Sequence, residues 1–460
     1  MGKRLIFIFA FLVVLAFLGC FILHGGLDFS KSSSYSSNQQ CTIETWNWVH
    51  TESISSSYVK TFSKWLWKKL ELTAENIHNN TEVSILAAYV YPETIAISLI
   101  TQHMLNQKMY CRYYDCERNE IPGSAWRGVV FPESVIECPR RIGAVYVSVS
   151  REMEEVAPTP VRLKFRAYKE PVHQLSVCMA PTYGNGSHWL PIVDFVEHNK
   201  LEGATFFFFY AGQIRKYDEK ILNEYVRTGD MELVKLQDKY QRVFISWQFL
   251  EVQDCHLRSK YFSKWTAVID LDERMTTFGQ RMIDLLRSIQ DPSIGVLDVP
   301  HVHVIQNDDF PAKFENRTQL EKELIFKKYN KTTSNQITGS KFIIRPDKIG
   351  VMLIHEIVGM WPGIKLQKLD KAQAVLRHYR STKNRMYQPN WNEIPDKFGV
   401  MPIFKSVPLP EQFSKDLEEA VVQRVLRVYD SVPVNCSSIP KQLANSLKYP
   451  DPCKEPWVAF

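Results

Sequence analysis

The segment Trp265-Thr266-Ala267-Val268-Ile269-Asp270-Leu271-Asp272-Glu273 decides the fold. Residues 265–271 read as one strand, continuously apolar until it ends in acid, as in parallel sheets covered on both faces. In an open α/β sheet, the carboxyl ends of the strands are where ligands bind. Asp270 and Asp272 are two apart in extended backbone, so they point to the same side. Hard divalent cations such as Mn²⁺ or Mg²⁺ prefer carboxylate oxygens, taking one or two from protein and the rest from diphosphate and water. The pair therefore suits a metal–diphosphate complex, although a chain of this length holds about one Asp-x-Asp by chance.

Around this strand the pattern alternates between strand and helix, the signature of an α/β sheet. Strands are predicted over 175–179, 204–210, 231–236 and 294–299, and helices over 190–198, 217–228 and 281–289, with Gly203 and Gly229 as helix stops. Phe413, Leu417, Val421, Val425 and Val428 lie three or four apart and predict a late amphipathic helix. The α/β domain is placed at 173–460. Before it, residues 41–172 carry β-type segments at 83–90, 95–100, 144–150 and 161–167, with prolines and cysteines between them, and predict a disulfide-containing β-rich domain. Cys111 and Cys116 could be half a zinc site, but no second pair lies at suitable spacing, so disulfide use is preferred.

The N-terminus sets the compartment. Residues 5–23 hold no charged group and would be about 28 Å long as a helix, enough to span a bilayer. Lys3 and Arg4 precede the run, which keeps residues 1–4 in the cytosol, and the length of the run with the poor cleavage site at residues 21–26 favours an uncleaved signal anchor over a cleaved signal peptide. Residues 24–40 are Ser-rich and read as a stem. Eight further cysteines and five Asn-x-Ser/Thr tripeptides, at Asn79, Asn185, Asn316, Asn330 and Asn435, agree with a luminal location, Asn316 and Asn330 having the most polar surroundings. With 45% apolar and 12% aromatic residues the chain is globular, and a net charge of +6 spread over 460 residues is no nucleic-acid signature. The P-loop, dinucleotide, serine-hydrolase and zincin motifs are absent.

Several of these residues carry a family resemblance. Val177-Cys178-Met179-Ala180-Pro181, the helix leading to Asp194-Phe195-Val196-Glu197-His198, Gln253-Asp254-Cys255-His256-Leu257-Arg258, the strand ending in Asp270-Leu271-Asp272-Glu273, Lys341-Phe342-Ile343-Ile344-Arg345-Pro346, Ile354-His355 and His378-Tyr379-Arg380 resemble glycosyltransferase family 92, in order, over residues 174–382. The resemblance implies a GT-A-like, nucleotide-diphospho-sugar transferase domain that binds a UDP-sugar donor through Asp-x-Asp and Mn²⁺ or Mg²⁺. It also implies an inverting galactosyltransferase using UDP-galactose. Arg274 stands where family members commonly have an aromatic or aliphatic residue, a departure that bears on the donor or acceptor.

These expectations assign roles. Asp270 and Asp272 hold the metal, joined by a late histidine, His378 in preference to His355. Arg380 and Lys383 reach the diphosphate, and Tyr210 and Arg258 contact the nucleotide. Asp308 and Asp309, with Glu356 in reserve, are candidates for the general base that an inverting displacement needs. The expected protein is a single-pass type II membrane protein of the Golgi, with its catalytic domain luminal and a glycan acceptor on glycoprotein or glycolipid. Two rival readings are a non-catalytic glycan-binding or assembly protein on the same fold, and a metal-dependent hydrolase. The latter would use His301 and His303, which share a strand face but lack an identifiable further ligand.

Overall fold

The computed structural model describes residues 82–333, 341–380, 403–405 and 408–430, apart from Glu93, Ala167, Asn185, Val243 and Asn307. The predicted anchor and stem, Asn79, Asn185, Lys383 and Asn435 lie outside the described residues. Among the described residues no helix is long and apolar enough to cross a membrane. The described residues all fall within one compact unit.

The first layer is all β: β1 (Ser84–Val90), β2 (Thr94–Ile100), β3 (Lys108–Tyr114), β4 (Trp126–Val129), β5 (Val135–Pro139), β6 (Tyr146–Ser150) and β7 (Val161–Phe165). They form one sheet in the order β4-β3-β6-β7-β1-β2-β5. β3, β4 and β5 add to the four segments predicted from sequence; the mixed charge and aromatic content of Lys108-Met109-Tyr110-Cys111-Arg112-Tyr113-Tyr114 hides a strand whose last four residues are buried. Cys111 pairs with Cys138 across the sheet, and Cys116 is also disulfide-bonded, so this pair of cysteines is no zinc half-site.

The α/β layer begins at β8 (His173–Thr182) and continues through α1 (Trp189–Leu201), β9 (Phe206–Ala211), α2 (Lys216–Arg227), β10 (Met231–Lys235), α3 (Phe244–Ser259) and β11 (Ser263–Ile269). Each predicted strand and helix in this stretch forms within a few residues of its expected ends; α3 is the addition. The α1 start is capped from a distance, the Asp218 carboxylate accepting from the backbone N–H groups of His188 and Trp189 at 3.3 and 3.2 Å. The α1 exit requires Gly203: its φ is +100°, and a Cβ there would lie 2.3 Å from the Ile283 side chain. Beyond β11 come β12 (Glu273–Thr277), α4 (Met282–Ser288), β13 (Ile294–Val299), β14 (His301–Ile305), α5 (Arg317–Glu323), α6 (Ile325–Lys328), β15 (Lys331–Thr333), β16 (Lys341–Ile344), β17 (Ile349–Leu353), β18 (Glu356–Met360), β19 (Lys365–Lys368), β20 (Ala374–Arg380), β21 (Ile403–Lys405) and α7 (Glu411–Val425).

The large sheet runs β10-β9-β8-β11-β16-β13-β19. Strands β8 to β11 are mutually parallel, while β16 is antiparallel to both β11 and β13. Successive connections lead outward on one side of β8 and then return to its other side at β11, which makes the β8/β11 boundary the topological switch point where a crevice opens at the carboxyl edge. A third sheet, β12-β20-β14-β15-β21, starts immediately after that edge. One apolar core lies under α1 and α7, and another lies on the α3 side of the sheet.

The expected boundary at residue 172/173 falls between the first sheet and β8, and α3 bridges it with a buried polar cluster. Tyr89 and Tyr210 donate to the two oxygens of Asp254 at 2.8 and 2.6 Å. Arg258 binds Asp254 at 2.9 Å and Glu232 at 2.5 Å, and Glu232 also accepts from Lys164 at 2.7 Å. Cys178 on β8 is disulfide-bonded to Cys255 on α3.

Candidate active site

The chain leaves the large sheet at Ile269, makes the turn Asp270-Leu271-Asp272, and enters the third sheet at Glu273. The acidic turn is thus the joint between two sheets, placed at the switch point. Arg274 holds it from behind: the buried guanidinium pairs with Asp194 at 2.7 Å and donates to the carbonyls of Leu271 at 2.6 Å and Glu273 at 2.9 Å. Arg274 therefore faces the interior and supports the turn, and its departure from the family pattern does not put a guanidinium in the crevice.

Strand register assembles the rest. Glu273 lies opposite His378 in the antiparallel β12/β20 pair, and His303 lies opposite His378 in the parallel β14/β20 pair, so all three share a face. His301, two residues before His303, joins them. His378 Nε2 stands 3.2 Å from Asp272 Oδ2, and its Nδ1 stands 3.6 Å from Glu273 Oε1. His301 Nε2 is 3.4 Å from that same Glu273 oxygen. The other Glu273 oxygen accepts from the backbone N–H of Asp270 at 2.8 Å. Lys341 starts the strand next to β11 and is buried; its ammonium donates to Asp270 at 2.7 Å and lies 3.3 Å from Glu273.

These neighbours set the charge states. Burial pushes the Asp270 carboxyl up, opposed by Lys341 and reinforced by Glu273 and Asp272. His378 holds Asp272 below the usual carboxylate range, and for the buried Glu273 the cost of burial is outweighed by Lys341, His301 and His378, so it is held low as well. His378 moves the other way: burial disfavours its charge, but Asp272 and then Glu273 prevail and raise it. His303 is pushed down to about 4, by burial first and by the neighbouring His378 and His301 next.

Asp272 keeps 44% of its side chain exposed while His378 is buried. A carboxylate oxygen open to the crevice and an imidazole nitrogen 3.2 Å away fit a divalent ion that draws its remaining ligands from diphosphate and water. Asp270 is less free, since one of its oxygens is engaged by Lys341.

The other predicted residues are scattered. His355 is exposed at the turn of the separate β17–β18 hairpin, and Glu356 begins β18. Asp308 and Asp309 are exposed in the loop after β14; the Asp308 carboxylate faces Tyr329 at 3.4 Å and Lys328 at 3.7 Å. Arg380 ends β20, close enough to help lower Asp272. Tyr210 and Arg258 are a correction of placement: both are buried, with their polar ends committed to the Asp254 cluster, because α3 and β9 bury them in the seam rather than at the sheet edge. Sequence reasoning gave no role to Glu273 or Lys341. Glu273 was visible as the last residue of the acidic run, and Lys341 as the one charge heading an apolar strand.

Comparison with known proteins adds independent findings. A 155-residue stretch is 26% identical to the β-1,4-galactosyltransferase galt-1 of Caenorhabditis elegans, covering 31% of this chain and 36% of that relative's length. Among solved structures, Staphylococcus aureus TarS 1–349 matches with a TM-score of 0.27 at 10% identity, over 59% of this chain and 77% of that one. A putative glucose-1-phosphate thymidylyltransferase from Bacillus anthracis matches with a TM-score of 0.26 at 10% identity, over 52% and 99%. The sequence profile of glycosyltransferase family 92 matches residues 173–417, more than half of the chain and everything from β8 into the last helix. The chain therefore belongs to glycosyltransferase family 92.

Proposed function

We propose that this glycosyltransferase is a metal-dependent inverting enzyme with a GT-A-like domain, transferring galactose from UDP-galactose to a glycan on a glycoprotein or glycolipid. The observation that carries the reading is the juxtaposition of half-exposed Asp272 with buried His378 at the switch point of the sheet. Asp272 and His378 Nε2 would hold Mn²⁺ or Mg²⁺. When bound, that ion supplies Lewis-acid neutralisation of the charge growing on the departing diphosphate. Lys341 fixes Asp270 and Glu273 behind this pair, and Arg380 places a cation beside Asp272, where phosphate oxygens would lie. Lys383 follows three residues later, outside the described residues. The acceptor hydroxyl must lose a proton on the face opposite the leaving group. Asp308 and Asp309 remain the candidates, being exposed in a loop of the same sheet as His378, with Glu356 in reserve.

We place the protein in the Golgi membrane as a type II protein anchored by residues 5–23. Supporting this are the length and flanking charge of that segment, the disulfides, and the exposure of Asn316 and Asn330.

The test is calorimetric titration of UDP into the full chain, with Mn²⁺ or with EDTA, beside Asp272→Asn. Metal-dependent binding weakened more than ~10-fold in the variant is expected, followed by galactose transfer from UDP-galactose. Folded protein that binds no UDP under either condition would overturn the reading and favour a non-catalytic glycan-binding role.

A further inference from the structure

The three side chains behind the acidic turn are more than support for it. We infer that Glu273, His301 and His378 form a second metal position, buried beneath the turn and suited to Zn²⁺.

Each residue offers one donor atom, and the three atoms lie within 4.8 Å of one another. The Glu273 Oε1 atom is 3.4 Å from His301 Nε2 and 3.6 Å from His378 Nδ1. Tetrahedral zinc, with bonds of about 2.0–2.1 Å, sets its ligand atoms about 3.3 Å apart. The side chains are 1%, 6% and 6% exposed, yet among the described residues none of these three atoms makes a hydrogen bond. A buried polar atom left unsatisfied costs about 1–3 kcal/mol, and three converging on one point describe a ligand set rather than a packing accident.

The surroundings pre-orient the cluster. Asp270 N–H and Lys341 hold the outer oxygen of Glu273, which aims the inner one at the two imidazoles. Asp272 beside His378 Nε2 would accept its proton-bearing edge, the carboxylate–histidine–metal arrangement that fixes a ligating imidazole. Charge favours a cation as well, since Asp270, Asp272 and Glu273 face the single lysine Lys341. Two imidazoles and one carboxylate select zinc over the hard ions that oxygen ligands prefer, and leave a fourth place for water.

The argument for this position does not rest on the nucleotide-sugar reading, but the two share His378. A neutral imidazole has one free lone pair. Ligation through Nδ1 puts the proton on Nε2, so an ion at the inner position and an ion on the Asp272 side exclude one another.

The probe is Co²⁺, whose visible bands are intense only at low coordination number, added to the EDTA-stripped full chain. A stoichiometric band that persists in Asp272→Asn and disappears in Glu273→Gln and His301→Gln is expected. A band lost in Asp272→Asn but kept in His301→Gln would overturn the proposal by assigning the metal to the outer pair. A folded wild-type chain giving no band would also overturn it. Should the inner variants not fold, zinc X-ray absorption on the unmutated chain decides: two imidazole ligands support the site, one overturns it. UDP titration of the same samples reports separately on the transferase reading.

Discussion

Two buried charge clusters lie on either side of β11, and they are built on opposite plans. In the seam, Asp254 and Glu232 face three cations, Lys164, Arg166 and Arg258, and Arg258 with two tyrosine hydroxyls occupies the Asp254 oxygens. At the acidic turn, three carboxylates face one lysine, with Arg380 near Asp272, and donor atoms of Glu273, His301 and His378 make no hydrogen bond among the described residues, having only one another within ion-pair distance. The seam is closed and the turn is open. Burial and an arginine do not mark a ligand site; convergent donors with an excess of one sign do.

The largest effect expected from breaking this contrast is on the closed cluster. Arg258→Met leaves two buried carboxylates short of their shared cation and should cost about 3–5 kcal/mol, lowering the thermal unfolding midpoint by several degrees. UDP binding per folded molecule should be retained, because the Arg258 guanidinium is engaged by Asp254 and Glu232. A variant that unfolds normally but loses UDP would return Arg258 to the donor site.

A second expectation concerns a buried carboxyl outside both clusters. Glu251 on α3 is fully buried, with both oxygens unpaired among the described residues. Burial raises it from 4.5 to about 8, with Lys341 opposing and Asp270 and Asp254 adding. Between about pH 5 and pH 8 the unfolded chain has released this proton while the folded chain retains it, so stability falls as pH rises. Glu251→Gln should match wild type near pH 5 and unfold several degrees higher at pH 8. Parallel unfolding curves for the two proteins from pH 5 to 8.5 would refute the assignment.

The smallest expected effect separates the two histidines proposed from sequence. His355→Ala should leave metal-dependent UDP binding within about 2-fold, while His378→Ala should abolish it in the same titration. Equal losses would mean that the hairpin bearing His355 reaches the crevice.

The turn itself was legible because an uninterrupted apolar strand that stops in acid is a local pattern. So were the alternating strands and helices of the α/β layer, and the stops at Gly203 and Gly229, both of which adopt positive φ. What surrounds the turn was not. Glu273, His301 and His378 meet through the registers of β12, β20 and β14, across more than a hundred residues of chain that no spacing rule connects. Helix α3 escaped for another reason: from Leu250 to Ser259 it is buried on all sides, so its polar residues, Asp254 and Arg258 among them, point into the protein and are not gathered on one solvent face to give the sequence a period. Tyr210 was read as a strand-end contact because a tyrosine closing an apolar run looks the same whether its hydroxyl meets a ligand or a buried aspartate.

The Cys178–Cys255 bond has a practical consequence for whoever handles this protein. It closes a loop of 77 residues that contains α1, β9, α2, β10 and most of α3, hence one whole side of the switch point. Chain-entropy reasoning assigns such a closure about 4.5 kcal/mol, comparable to the entire stability of many domains. Both sulfurs are fully buried, so thiol reductants reach the bond only when the chain opens, whereas a preparation made in a reducing cytosol would start with its crevice untied.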